Sequence, residues 1–128
     1  MKFFAIPVLL AGVAQAINFL NDIPVDGYYK AGTDFVLEWT PEARTDTFQL
    51  IISTFLKDPI LTNPNQGQFP IYDFKTINVV LDQAVPFSDS SFTWHITPVD
   101  GRTGEDYYYS FEALWENTSE SPRAFHVQ

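Results

Sequence analysis

Two histidines, sixteen carboxylates and no cysteine define the side-chain chemistry open to this chain of 128 residues. His95 and His126 fall in separate apolar runs, whereas a histidine-based metal site takes two or three imidazoles with carboxylate help. The absence of cysteine removes thiolate nucleophiles, disulfides and cysteine-held zinc or iron–sulfur centres. Glycoside hydrolysis needs two acids roughly 5–10 Å apart around a sugar. Glu38, Glu112 and Glu116 lie on the polar phases of strand-like runs, where acids keep a face wet. Asp22, Asp26, Glu105 and Asp106 sit at turns, where aspartate also bonds local backbone. No two of them stand out as an acid–base pair. Neither a D-x-D-x-D-G calcium loop nor a G-x-S-x-G nucleophile elbow is present. The expectation is a non-catalytic protein with no metal and no cofactor.

The aromatic residues, 16% of the chain, are more informative. Trp39 and Trp94 fall on alternating apolar positions and are expected in the core. Tyr107 or Tyr109 is placed to make a tyrosine-corner hydrogen bond. Tyr28 and Tyr29 in a turn region, Tyr108 out of phase with its neighbours, and Trp115 near a strand end are harder to bury together. Flat exposed rings with polar handles suit a wet binding face. These four residues are the candidate glycan- or protein-contact patch. Asn117-Thr118-Ser119 is the one N-x-S/T sequon without proline, which makes Asn117 a candidate N-glycosylation site on an exposed loop.

Seven basic against sixteen acidic residues leave a formal charge of −9. Phosphate backbones need a clustered Lys/Arg footprint, so no nucleic-acid partner is expected. Anionic membrane surfaces are disfavoured for the same reason. The aromatic content excludes an acidic disordered tail. At the N-terminus, Met1-Lys2, the apolar run Phe3 to Val13 and the small residues of Ala14-Gln15-Ala16 have the three-part layout of a secretory signal peptide. The run is shorter than the roughly 20 residues of a membrane helix, and Pro7 and Gly12 interrupt it. Residues 1–16 are therefore read as signal peptide and 17–128 as one domain, with no membrane span and an extracellular destination. A mature start at Ile17 also excludes the N-terminal histidine that copper polysaccharide oxygenases require.

The elements that must position these residues follow a period of two. Residues 34–39, 48–53, 77–81, 92–97, 107–115 and 124–127 alternate apolar and polar side chains or carry β-branched runs. Turn residues separate them: Pro24-Val25-Asp26-Gly27, Ala31-Gly32-Thr33-Asp34, Pro41, Asn63-Pro64-Asn65-Gln66-Gly67 and Asp100-Gly101-Arg102-Thr103-Gly104. No helical period is present. The expected fold is all-β: a single immunoglobulin-like or fibronectin-like antiparallel β-sandwich of about seven strands, with a long loop from Leu56 to Gln68.

The order of these motifs resembles a known family. Ile23-Pro24-Val25-Asp26-Gly27, Lys30-Ala31-Gly32-Thr33 and Leu37-Glu38-Trp39-Thr40 resemble the opening of the fungal Kre–Knh cell-wall synthesis N-terminal domain. That domain is also found in Ser/Thr-rich GPI-anchored wall proteins. Phe92-Thr93-Trp94-His95-Ile96, Tyr107-Tyr108-Tyr109-Ser110-Phe111 and Ser121-Pro122 with Phe125 and Val127 resemble its later strands. The resemblance implies a secreted β-sandwich associated with the fungal cell wall, binding wall polysaccharide such as β-glucan or a wall glycoprotein, with no catalytic site to transfer. No Ser/Thr-rich stalk or lipid-anchor signal follows the last motif, and the second domain of the wall-synthesis proteins is lacking. That departure motivates the alternative, a secreted effector or adhesion module with a host or other protein partner.

Overall fold

The computed structural model describes residues 17–63 and 69–128. The signal peptide expected at residues 1–16 lies outside the described residues, as does 64–68 of the expected long loop. The described residues are all-β, with no helix. In chain order the strands are β1 (Tyr28–Tyr29), β2 (Asp34–Glu38), β3 (Thr47–Leu56), β4 (Ile60–Leu61), β5 (Tyr72–Asp73), β6 (Ile77–Pro86), β7 (Ser91–His95), β8 (Tyr107–Trp115), β9 (Thr118–Glu120) and β10 (His126–Val127). The six alternating runs of the sequence correspond to β2, β3, β6, β7, β8 and β10.

Four strands hydrogen-bond in the order β6-β3-β8-β9, and β2 pairs with β7. The alternation shows why each strand forms. In β2, Phe35 and Leu37 are buried while Asp34, Val36 and Glu38 are exposed. In β8, Tyr109, Phe111, Ala113 and Trp115 are buried and their intervening neighbours are not. The buried face of β2–β7 meets that of β3–β8 through aromatic rings: Phe35 on Phe111 at 5.1 Å, Trp94 on Phe111 at 5.6 Å, Trp39 on Phe48 at 5.4 Å. Trp39 and Trp94 are thus core residues, as their phase implies. Each large side chain so buried contributes about 1.5–3 kcal/mol, which is how a chain without disulfides is held together. Tyr109 forms the tyrosine corner. Its hydroxyl donates to Arg102 O at 2.7 Å and accepts from Val99 N at 2.9 Å.

Two features depart from the expected fold. First, β1 and β10 run parallel, with Tyr28 opposite His126 and Tyr29 opposite Val127. The C-terminal strand enters between β1 and β8: His126 N donates to Gly27 O, Gln128 N donates to Tyr29 O, and Phe125 bridges Tyr109 on the other side. A strand of two residues shows no alternation, so neither its partner nor its direction is readable from pattern. Second, the expected loop after Leu56 is interrupted by β4, which pairs with β5 as a protruding arm. The buried Asn63 side chain braces that arm, donating to Phe69 O at 2.9 Å and accepting from Ile71 N at 2.8 Å. Free strand edges invite pairing with other chains. The free edge of β2 is blocked by residues 18–21: Leu20 N donates to Glu38 O, and the Asn21 amide donates to Val36 O while its Oδ1 accepts from Glu38 N.

Candidate functional site

Parallel pairing of β1 with β10 places the Tyr28 and His126 rings side by side on one face. Their centroids lie 4.8 Å apart and their planes 23° apart. Tyr108 of β8 covers the opposite face of the imidazole at 4.5 Å and 26°. Phe55 of β3 packs beyond Tyr108 at 5.8 Å. His126 is therefore buried between two tyrosines although it belongs to a terminal strand. Its Nδ1 lies 2.8 Å from Tyr107 O, which can only accept, so Nδ1 carries a proton.

Asp26 caps the stack. It occupies the left-handed backbone region (φ 54°) in the turn closed by Gly27 N donating to Pro24 O, a conformation that aspartate tolerates. Its Oδ1 accepts from the Tyr108 hydroxyl at 2.7 Å and lies 3.5 Å from His126 Nε2. The Tyr108 bond, with smaller help from His126 and Lys57, holds the Asp26 carboxyl below the usual aspartate range. The same bond, with burial and the Asp26 charge, pushes the Tyr108 phenol up. The two directions agree, as they must for one hydrogen bond donated to an ionised carboxylate.

The four candidate aromatics do not form one patch. Tyr28 and Tyr108 come together, joined by His126 and Asp26. Tyr29 alternates to the inner side and packs edge-on against Phe35 at 5.0 Å and Phe125 at 5.3 Å. Trp115 is only 6% exposed and packs edge-on against Phe87 at 5.5 Å, because it shares the inward phase of Phe111 and Ala113. Both are corrections to the expected patch, and strand alternation accounts for both. Residue type and spacing do not assign His126 or Asp26 to this patch. Opposite parity to the apolar Phe125 and Val127 is the one signal the sequence carries for His126. Burial of His126 overrides that parity, because Tyr28 and Tyr108 cover its ring.

Tyr28 remains 44% exposed, and its one ring contact among the described residues is with His126. A flat apolar ring face can take the C–H face of a sugar, and the exposed Asp26 carboxylate, joined to the same stack through Tyr108 and His126, can accept from a hydroxyl on its rim. The interior members of the stack have their faces occupied and offer only edges.

Asn117 lies at the other end of β8, about 23 Å along the strand from Tyr108. Glu116 and Asn117, at φ 46° and 62°, form the two-residue turn joining Trp115 to Thr118, the left-handed pattern of a type I′ hairpin. Asn117 and Ser119 are exposed, at the rim of an open concavity of about 590 Å³ lined also by Gln49 and Leu114. The exposed His95 pairs across strands with Asp34 at 2.9 Å. Among the described residues no three His, Asp or Glu side chains group as metal ligands, and no helix is long and apolar enough to cross a membrane. Comparison with protein-family models, with curated proteins and with solved structures returned no match.

Proposed function

We propose that this chain is a secreted, non-catalytic domain that associates with fungal cell-wall polysaccharide through the exposed face of Tyr28 and the Asp26 carboxylate. In this reading the sheets form an immunoglobulin-like or fibronectin-like sandwich of the Kre–Knh type, the class its motifs resemble. The single observation that carries the binding site is the stack itself. Tyr28 stacks against a buried imidazole with its outer side in water, and the Asp26 carboxylate joins the same stack through Tyr108. A pre-ordered ring loses little entropy on binding, which favours weak, extended ligands such as polysaccharides.

The test is retention of the purified protein on insoluble β-1,3-glucan, β-1,6-glucan and chitin across a salt series. Salt-insensitive retention on one polymer is expected, because ring stacking is not screened as ion pairing is. Covering roughly 60 Å² of ring face contributes about 1.5 kcal/mol, so Tyr28→Ala weakens retention about tenfold. No retention on any of the three, or retention indifferent to Tyr28→Ala, refutes the site. Absence of retention moves the reading to a protein partner.

A further inference from the structure

We infer that β6 is a self-association edge, at which a second copy of this chain pairs antiparallel about a two-fold axis near Val79. β6 is the outermost strand of its sheet and ten residues long. Its first half carries apolar side chains on both faces, Ile77 and Val79 on one and Val80 on the other. Val79 lies opposite Ile52, which is buried in the core, yet Val79 is 37% exposed. The opposing layer therefore covers the far end of β6, where Val85 is buried and Leu81 packs against the core, but leaves Val79 partly open. Val80, opposite Ile51 on the outer face, is 47% exposed.

The usual edge defences are unevenly placed. The register shifts lie between Phe48 and Ile51, opposite the second half of β6, where Asp82 and Pro86 also fall. Ile77 to Val80 pairs regularly with Ile51 to Thr54 and carries no charge. Such a strand is a template for another strand. Beside it the β4–β5 arm presents Ile60, Leu61, Ile71, Tyr72 and Phe74 to solvent, and Phe69 at 89% exposure.

Charge identifies the occupant. From Lys57 to the end of β6 the described residues carry Lys57 and Lys75 against Asp58, Asp73 and Asp82, one net negative charge on a chain of net charge −9. Two copies repel least where these weakly charged segments meet, and a two-fold axis brings one against the other. A basic partner is drawn instead to the acidic remainder. With Val79 opposite its own copy, Ile77 faces Leu81 and Asn78 faces Val80. The two Asp82 carboxylates then stand about 20 Å apart along the strands, beyond the screening length of about 8 Å.

Sedimentation equilibrium over a concentration series, at low and high salt, with amide exchange of residues 77–81, tests this. The expected result is a doubled mass that strengthens with salt, and slowed exchange at 77–81 as concentration rises. Val79→Lys places like charges together on the axis and weakens association by at least about 100-fold, with near-ultraviolet dichroism unchanged. Val80→Lys, on the outer face, serves should Val79→Lys disturb the fold. A chain that stays monomeric at every concentration and salt overturns the inference. So does a dimer that survives both substitutions, or a monomer whose β6 pairs only with an unrelated extended peptide.

Discussion

Removing one oxygen, in Tyr109→Phe, tests how the fold closes. The ring of Tyr109 is fully buried and stays in place as phenylalanine, stacked with Phe125 at 6.2 Å. Only the hydroxyl is lost, and with it the acceptor for Val99 N and the donor to Arg102 O. Each backbone group left without a partner costs about 1–3 kcal/mol when buried. Both lie in a part-buried loop that water reaches, so the lower end applies to each and the total is about 2 kcal/mol. For a domain of this size that lowers the melting temperature by roughly 8 °C. Burial also pushes the Tyr109 phenol above its ordinary range. A raised folded-state pKa contributes stability that is complete below the unfolded value of 10.0 and is lost as pH rises through the folded value. Thermal denaturation of wild type and Tyr109→Phe at neutral pH, and again above about pH 10, reads both effects. The variant is less stable at neutral pH and loses less further stability in alkali; Tyr108, shifted the same way, supplies the alkaline loss that remains. A neutral-pH change under about 0.5 kcal/mol, no larger than an ordinary surface substitution, refutes the tyrosine corner as a structural tie.

Three further outcomes are expected. The depressed Asp26 carboxyl contributes stability that is present above the unfolded value of 3.8 and lost as pH falls through the folded value; in Tyr108→Phe its carbon resonance titrates at higher pH than in wild type. Glu116→Gly relieves a side chain held at φ 46° and raises stability by about 1 kcal/mol in urea denaturation; destabilisation contradicts the type I′ turn. The protein secreted from a eukaryotic host carries a glycan at Asn117, seen as a mass loss on enzymatic deglycosylation and absent from Asn117→Gln; equal masses with and without the enzyme contradict it.

The alternation along β2, β3, β7 and β8 is legible in the sequence itself, because a strand with one buried face must repeat every two residues. So are the core positions of Trp39 and Trp94, the candidate tyrosine corner, and the presence of turns near Gly27, Gly32 and Gly101. These are local properties, set by backbone geometry and the need to bury one face. Tertiary structure alone decides the partners. Tyr28 in the first short strand, Tyr108 in the last long one and His126 near the C-terminus share no sequence signal. They meet because β10 inserts between β1 and β8, and strand pairing is fixed by the packing of the whole chain. A similar distance in sequence separates Asp26 from the Tyr108 phenol that donates to it. Tyr29 and Trp115 enter the candidate patch on type alone, because aromatic type does not say which way a ring points. The exposure of Val79 on a core-facing phase escapes the sequence for a related reason: alternation tells which face a residue takes, but only the extent of the opposing layer tells whether that face is covered.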